Sequence, residues 1–360
     1  MAKKSVAELA AIVRGEVGGR VWLGIDVHKS SYQVAMMTRD GREATWSSVA
    51  CPHSLVTQVR GLGVKVALAV YEAGPTGFGL ARALRSAGIA VCVAAPSRVV
   101  RPVSAGAKTD RLDCLKLAEY GAKGMVKSIA IPSESEEAER SLLRRRHQLV
   151  DELRRTKQRI KSHLLCLGVE EPSGLKGWSR RGVAELKELS LPREAKWTLE
   201  SLVRELEYVM GEQAVVERQL ACVMETPRHQ EVFEALRSVP GVGPVVATSW
   251  CLELFRPQRF LCGEELASYL GLAPVVRQSG SGKARARIRP VGKRRLRSLL
   301  VEAAWLWRAW DPWAAQWYRR CLARTGVFQK AITALARKLA IILWRLSVER
   351  RPYRPGLANA

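Results

Sequence analysis

The sequence predicts an α/β domain, a helical coiled-coil middle and a mainly α-helical C-terminal domain. Short apolar runs bounded by turn residues occupy the first third of the chain, with helical patterns between the later runs. Apolar residues then recur at heptad-like intervals in two long stretches, and helical spacing dominates the remainder. We therefore expect a mobile lead-in at 1–20, the α/β domain at 21–132, an antiparallel coiled-coil region at 133–228 and the C-terminal domain at 229–360.

The chain is strongly basic, and the excess charge is concentrated at its C-terminal end. It contains 59 Lys and Arg against 34 Asp and Glu, which gives a formal net charge of +25. Residues 1–132 carry a net +9, residues 133–275 carry −1, and residues 276–360 carry +17. A basic tail of this kind favours a polyanionic partner, of which nucleic acid is the usual one.

Composition argues against a zinc site and against a membrane location. No two of the eight cysteines have Cys-x-x-Cys spacing, so we expect free thiols in a reducing compartment. The N-terminus lacks the apolar core of a signal peptide. The apolar segment Ala331–Val348 is interrupted by three cations and is too charged to cross a bilayer. These features predict a cytoplasmic protein.

The elements of the α/β domain follow in order. Residues 5–14 read as a short helix within the lead-in. Apolar runs predict strands at 21–26, 32–38, about 44–49, 64–71 and 89–95. Asp40-Gly41 is typical of a hairpin between the second and third strands. Helices are expected from Pro75 to Ser86 and from Thr109 or Asp110 onward, since either residue is a suitable N-cap. An antiparallel start followed by helix–strand alternation predicts a mixed sheet.

The middle of the chain carries two apolar stripes with charged flanks. The first consists of Leu142, Leu149, Leu153, Ile160, Leu164 and Leu167. The second consists of Leu199, Leu202, Leu206, Val209, Val216, Leu220 and Val223. Heptad-like stripes favour a pair of long antiparallel helices, and an ordinary helical subdomain is the alternative. An exposed stripe of this kind would be a dimer contact, so we expect a homo-dimer or homo-tetramer.

Near the start of the C-terminal domain, Pro240-Gly241-Val242-Gly243 resembles the turn of a helix-hairpin-helix DNA-binding motif. Gly241 and Gly243 would let backbone N–H groups approach a phosphate at a helix N-terminus. A tight turn between two helices is the alternative. Further on, crowded tryptophans between Trp305 and Trp317 have helical spacing and predict core packing in preference to base stacking.

Basic residues that follow this motif are candidates for nucleic-acid contacts. Alternating arginines predict a strand with one cationic face, and a basic cluster then opens a helix. The candidates are Lys283, Arg285, Arg287, Arg289, Lys293, Arg294, Arg295 and Arg297.

Four acids of the α/β domain predict a metal site. Asp26 and Glu72 each end a predicted strand, and Asp110 and Asp113 begin a helix three residues apart, on one face. Two-metal phosphodiester chemistry needs several carboxylates around ions about 3.5–4 Å apart, and Mg²⁺ prefers such oxygen ligands. The order of these acids matches an RNase H/RuvC-like nuclease site. Each acid alone also has a structural explanation, such as a helix-dipole or loop-capping role. His28, beside Asp26, is left without a role.

Ser279 is the candidate nucleophile. It lies in a Gly/Ser stretch directly before the cationic strand, so its hydroxyl would be exposed and close to positive charge. A flexible linker serine is the alternative. Ser281, two residues later, is a second candidate for the same role.

Four blocks of sequence together resemble the insertion-sequence one-ten (IS110) family of DEDD transposases, which are related to the Piv/MooV invertases. They are Gly24–Lys29, Glu72–Gly77, Lys108–Asp113, and a late block from Pro240 through Gly271-Leu272-Ala273-Pro274 and Ser279-Gly280 to Arg297. The resemblance covers residues 21 to about 305. Cys114 departs from the small residue common in the family, and Lys293 from its usual Asn.

This resemblance implies a RuvC-like domain, a coiled-coil insertion and a C-terminal transposase domain. It implies catalytic, metal-binding acids at Asp26, Glu72, Asp110 and Asp113, and a catalytic serine at Ser279. Mg²⁺, in two ions, would be the cofactor. The partners implied are donor DNA, target DNA and a structured bridge RNA, with acids and serine from different protomers meeting in an assembly.

We predict the first of three functions from the sequence and keep the other two as alternatives. The first is a transposase that cuts and rejoins DNA through a phosphoserine link, which needs no ATP motif. The second is a RuvC-like Holliday-junction endonuclease in which metal-activated water attacks. The third is a non-catalytic nucleic-acid-binding protein whose acids are structural.

Overall fold

The structure of the chain is a computed structural model that describes residues 5–96, 110–277, 285–288 and 292–355. The chain divides into two compact units, Met1–Ser133 and Glu134–Ala360. The predicted coiled-coil region and C-terminal domain both fall within the second unit. Within the described ranges, no helix has the length and apolar character that a membrane span requires.

The first unit is built on a mixed five-stranded sheet in the order β3-β2-β1-β4-β5. Strands β1, β2 and β3 form an antiparallel meander, and β4 and β5 then add in parallel beside β1. Gly41, with φ +86°, lies in the turn at the predicted hairpin. The strands are β1 (Val21–Val27), β2 (Ser31–Thr38), β3 (Glu43–Val49), β4 (Val66–Glu72) and β5 (Val91–Ala94).

Helices cover both faces of this sheet because its central strands are apolar on both sides. Leu23 and Ile25 of β1 belong to the core that includes α1, α2 and α3. Residues of the opposite face, such as Ala35 and Val70, pack with α4. The helices are α1 (Val6–Gly15), α2 (Pro52–Gly61), α3 (Gly79–Ser86) and α4 (Asp110–Ala122).

Residues 5–20, the described part of the predicted lead-in, begin with helix α1, which packs into the core of the first unit. Helix α1 starts with a capping box in which the Ser5 hydroxyl accepts from the Glu8 amide and the Glu8 carboxylate accepts from the Ser5 amide. Leu9, Ala10 and Val13 are fully or almost fully buried in the core of the first unit. Burial of this apolar face holds α1 in the core of the first unit, and the mobility expected of the lead-in as a whole stays a prediction.

Gly24 sets the distance between β1 and α4. A Cβ at this position would lie 1.9 Å from the carbonyl oxygen of Cys114 and 2.5 Å from the amide nitrogen of Ala118. The helix backbone therefore rests directly on the strand, and only glycine leaves room for it. Farther along, a Cβ at Gly121 would lie 2.7 Å from Val70 of β4.

In its described residues, the second unit is helical apart from one two-stranded ribbon, β6 (Pro274–Arg277) paired antiparallel with β7 (Arg285–Ile288). Its long helices are α5 (Glu134–Cys166), α7 (Arg193–Met224) and α13 (Phe328–Glu349). The others are α6 (Arg180–Lys187), α8 (Gln230–Arg237), α9 (Pro244–Leu254), α10 (Gly263–Leu270), α11 (Arg294–Trp310) and α12 (Pro312–Thr325).

Helices α5 and α7 pack side by side in opposite directions. Arg146 of α5 lies 2.8 Å from Glu217 of α7, and farther along α5 the buried Thr156 donates to Glu205 at 2.8 Å. Most residues of the two predicted stripes are buried in one shared core. Since the stripes cover each other within one chain, they are not an exposed dimer contact, and the homo-oligomer stays a prediction.

The tryptophans of the C-terminal helices divide between core and surface. Trp307 is fully buried, whereas Trp310, three residues on, is 74% exposed. Elsewhere in the same core, the Trp250 indole donates to Ser347 at 2.8 Å, and Tyr353 donates its hydroxyl to the buried Asp311 at 2.9 Å. The prediction that the cluster is core therefore holds for Trp307 and fails for Trp310.

A half-buried carboxylate, Glu253 of α9, links three parts of the second unit. Its Oε2 lies 2.6 Å from the Lys293 ammonium and 3.6 Å from the guanidinium of Arg140 on α5. Burial alone would raise the pKa of Glu253, but Lys293, Arg140 and Arg144 outweigh it and hold the pKa below its ordinary value. Glu253 is therefore ionised at neutral pH.

Gly24→Ala is expected to destabilise the first unit by about 3 kcal/mol, because the added methyl group would force α4 off the strand. The matched control is Gly61→Ala in α2, where an added Cβ meets nothing within 4 Å. Thermal and urea unfolding measure both variants. Equal stability of the two would show that α4 does not rest on Gly24.

Glu253→Gln is expected to destabilise the protein by about 3 kcal/mol at pH 7, because it leaves Lys293 and Arg140 without their shared counter-charge. The pKa of Glu253 is lower in the folded protein than the ordinary value of 4.5 that applies to the unfolded chain. The extra stability of the wild type over the variant is therefore fully present above pH 4.5 and is lost as the pH falls through the folded pKa. Unfolding between pH 3 and pH 7 tests this. The control is Glu264→Gln, an acid whose side chain is 73% exposed. A loss of stability in Glu253→Gln that is the same at every pH would show that the Glu253 charge does not stabilise the protein.

Candidate active site and nucleic-acid interface

Two of the predicted acids lie side by side at one edge of the sheet. Ile25 of β1 pairs with Tyr71 of the parallel strand β4, so the next residues, Asp26 and Glu72, are neighbours at the carboxyl ends of these strands. Adjacent strands are about 4.8 Å apart, and paired residues point to the same face. The fold thus brings together two carboxylates that are 46 residues apart in sequence.

Helix α4 approaches the same edge from the face on which Asp26 lies. Gly121, late in α4, lies over Val70 and Trp22, whereas Cys114, early in α4, lies over Gly24. The N-terminal end of α4 therefore points towards the carboxyl end of β1. Asp26 shares the face of Gly24, because the two are separated by one residue of a strand. The half-buried Asp113 is therefore at the end of α4 that points to this edge. Asp110 is the first residue of α4, and its side chain lies outside the described part of the structure.

His28 is a further polar group at this edge. Its Nε2 lies 3.1 Å from Asp26 Oδ2, and the two side chains are 43% and 27% exposed. Such partial exposure leaves this contact screened by water. The sequence left His28 without a role, and its proximity to Asp26 makes it part of the acidic edge.

The donor chemistry of this edge fits a hard divalent cation, since Asp26, Glu72 and Asp113 all offer carboxylate oxygens. Within the described residues, however, no group of three or more His, Cys, Asp or Glu side chains is gathered closely enough to hold a metal ion. Strand register thus makes Asp26 and Glu72 neighbours, and the start of the helix that carries Asp113 points towards them.

The turn predicted as helix-hairpin-helix joins α8 to α9, and its two glycines have different surroundings. Gly241, with φ +84°, packs on α11: a Cβ there would lie 2.7 Å from the Trp307 amide nitrogen. Gly243 is the N-cap of α9, and nothing lies within 4 Å of a Cβ built on it. The close approach that Gly241 permits is thus to a neighbouring helix, whereas Gly243 leaves the start of α9 accessible.

The basic cluster at the start of α11 is partly engaged in ion pairs. Lys293 contacts Glu253, and Arg295 contacts Asp151 of α5. The Arg297 guanidinium lies 3.4 Å from the carbonyl oxygen of Gly271. Arg294 is exposed. Of these four cations, Arg294 is the one most open to an external partner in the described structure.

Two further candidates belong to the β-ribbon. Arg285 and Arg287 belong to β7, as the alternating pattern predicted, but their side chains are outside the described part. Ser279, Lys283 and Arg289 lie outside the described residues altogether, as does the alternative nucleophile Ser281.

Two cleft residues were not singled out by the sequence. Arg144 and His147 of α5 line a cleft together with Lys293 and Arg294. The run Arg144–His147 carries a signal, since three arginines in succession are more than a coiled-coil flank needs. Its proximity to α11 arises only in the tertiary fold.

Comparison with known proteins agrees with this architecture. Residues 23–167 match the family profile DEDD_Tnp_IS110, described as a transposase. Residues 233–319 match the profile Transposase_20, described as the transposase IS116/IS110/IS902 family. The first match contains Asp26, Glu72, Asp110 and Asp113, and the second contains Gly241, Gly243 and Ser279.

Full-length relatives carry corresponding names. The chain is 30% identical to the putative transposase y4qE of Sinorhizobium fredii, over 92% of this chain and 89% of that protein. It is 28% identical to a probable family 20 transposase of Pseudomonas aeruginosa, over 93% and 98%. It is 24% identical to the transposase for insertion sequence element IS1111A of Coxiella burnetii, over 93% and 91%. The chain belongs to the IS110/IS116 family of insertion-sequence transposases.

Proposed function

We propose that this transposase cuts and rejoins DNA strands with two chemical groups, the acids of the sheet edge and the hydroxyl of Ser279. The observation that carries the proposal is the parallel register that makes Asp26 and Glu72 neighbours, with the start of α4 directed to the same edge. Carboxylates that converge on the carboxyl ends of strands suit phosphodiester chemistry in a RuvC-like domain.

The acids Asp26, Glu72, Asp110 and Asp113 hold the metal. Mg²⁺, when bound as two ions, polarises the scissile phosphate and stabilises the negative charge on entering and leaving oxygens. These acids would hold the ions against the DNA backbone, and His28 lies close enough to Asp26 to position its carboxylate. Rigid β1 and β4 keep Asp26 and Glu72 in place because both strands are internal to the sheet.

Ser279 supplies the nucleophile. Its hydroxyl oxygen attacks the phosphorus, the bond from phosphorus to the leaving strand oxygen breaks, and the serine proton passes to that leaving oxygen. A phosphoserine link therefore preserves the bond for rejoining, when a strand hydroxyl attacks it and releases the serine. The basic residues from Lys283 to Arg297 offset the charge that develops.

The partners follow from charge and family. The +17 tail, with the turn around Gly243, binds donor and target DNA. A bridge RNA of the element selects both DNAs, and protomers assemble as a dimer or tetramer in which acids and serine from different copies meet. The chain acts in the bacterial or archaeal cytoplasm, at the nucleoid.

Asp26→Asn, Glu72→Gln and Asp113→Asn are each expected to reduce strand transfer by about a thousandfold, roughly 4 kcal/mol of transition-state stabilisation, because each removes one anionic ligand. The assay is excision and integration of a marked element, with Mg²⁺-dependent DNA cleavage by the purified protein. Glu119→Gln is the control, an acid on α4 that pairs with Lys123 at 2.5 Å. Wild-type activity in the Asp26 or Glu72 variant would exclude the acidic edge as the active site.

Ser279→Ala is expected to abolish protein–DNA adducts that survive denaturing electrophoresis, while DNA binding stays unchanged. Ser281→Ala, two residues away, should retain the adducts. Adducts that persist in Ser279→Ala but vanish in Ser281→Ala would identify Ser281 as the nucleophile. Cleaved DNA with free 5′-phosphate ends and no adduct in the wild-type protein would favour attack by water, as in a junction endonuclease.

A further inference from the structure

We propose that a cleft in the second unit, between α5, α9 and the start of α11, binds one phosphate group of a nucleic-acid backbone. The proposal rests on the proposed function, because it assigns a defined phosphate site to the DNA- or RNA-binding surface. The cleft has a volume of about 470 Å³ and is lined by Arg144, His147, Gln148, Ser249, Glu253, Gly292, Lys293, Arg294, Arg295 and Leu296.

Positive charge dominates this cleft. Arg144 comes from α5, and Lys293, Arg294 and Arg295 come from the start of α11. The one carboxylate in the lining, Glu253, is already matched by Lys293 at 2.6 Å. Arg295 contacts Asp151, which lies outside the lining. Arg144 and Arg294 are exposed, so their charge is available to an anion.

The first turn of α11 adds backbone donors to these cations. This 17-residue helix has Lys293 as its N-cap, has no acidic residue in its first turn, and receives no capping hydrogen bond from a side chain of the described chain. Cations at a helix N-terminus oppose the helix dipole and are unfavourable there unless an anion is also present. A phosphate at this position would accept from backbone amides of the first turn and neutralise the neighbouring cations.

Two buried polar atoms in the cleft have no hydrogen-bond partner in the described structure. Ser249 is only 1% exposed, and its hydroxyl makes no bond even to the preceding turn of α9. The Nε2 atom of His147 is buried and unpaired as well. A buried hydroxyl or ring nitrogen without a partner is unfavourable by comparison with its hydrated state. A phosphate oxygen in the cleft would accept a hydrogen bond from each.

His147 acts here as a neutral donor. Burial lowers the pKa of its imidazole, and the nearby Arg295 and Arg146 lower it further. The neutral ring can carry its proton on Nε2 and donate it to a phosphate oxygen. The arginines then supply the positive charge, while the hydrogen bonds from Ser249 and His147 orient the phosphate.

The lining also indicates which part of a nucleic acid binds. Among its described residues there is no Trp, Tyr or Phe on which a base could stack. Cations, a hydroxyl and helix amides are the groups that contact phosphates, and such contacts fix register without reading sequence. The site therefore accepts a backbone phosphate of DNA or RNA, and free inorganic phosphate should serve as its probe.

Phosphate-dependent stabilisation of the full chain tests the site. In wild type, inorganic phosphate should raise the melting temperature above that in chloride at equal ionic strength. Arg294→Gln should weaken phosphate binding about tenfold, since one charge-assisted contact is lost. The control is Arg319→Gln, which removes an exposed cation from α12 outside the cleft and should behave as wild type.

Ser249→Ala provides a second, independent test. Without phosphate, this variant should melt at or above the wild-type temperature, because it removes an unpaired buried hydroxyl. Its phosphate-dependent gain should nevertheless be smaller than that of wild type. A serine that serves packing alone would give the opposite pattern, a lower melting temperature with an unchanged gain.

Competition identifies the natural source of the phosphate. Short DNA and RNA oligonucleotides should abolish the additional stabilisation by phosphate, and the stronger competitor is the better partner. No phosphate-specific stabilisation in wild type, or equal phosphate and oligonucleotide binding by Arg294→Gln and Arg319→Gln, would overturn the proposal. Because these measurements need no strand transfer, their failure is distinct from failure of the acidic edge, which the Asp26 variant tests separately.

Discussion

The contact between α4 and β1 at Gly24 is the constraint on which the candidate active site depends. With no side chain at this position, the Cys114 carbonyl rests on the strand, and the start of α4 is held towards the edge where β1 and β4 end. Strand pairing alone places Asp26 beside Glu72, but it cannot bring in residues that follow β5. The close packing of helix on strand therefore links the third acid, Asp113, to the other two.

The second unit contains many cations, and their mutual repulsion would destabilise the fold if they were not paired with acids. Single carboxylates form ion pairs with two cations each. Glu253 pairs with Lys293 and Arg140, and Glu136 of α5 pairs with Arg228 and Arg256. Two exposed cations, Arg294 at the start of α11 and Arg144 of α5, line the cleft beside these pairs. Structural charge is thereby paired, and the remaining charge is available for polyanions.

Local patterns predicted much of this fold, because alternation and turn chemistry act over a few residues. The strands, the hairpin at Gly41 and the start of α4 near Asp110 follow from such patterns. Helix α2 was missed, since only two buried residues mark its ten positions. Packing against distant elements was not predictable: the helical neighbour of Gly241 and the cleft beside Ser249 depend on α11. At the site, strand ends indicated Asp26 and Glu72 correctly as neighbours, whereas the acids' assembly around a metal stays a prediction.

Cleavage of the polypeptide by bound iron would locate a divalent-metal site in the folded protein. Fe²⁺ in place of Mg²⁺, with ascorbate and peroxide, generates radicals that cut the backbone near the metal. We expect cuts close to residues 26, 72 and 110–113, and we expect excess Mg²⁺ to suppress them. Cuts elsewhere, or cuts that excess Mg²⁺ leaves unchanged, would contradict a divalent-metal site at the edge formed by β1, β4 and α4.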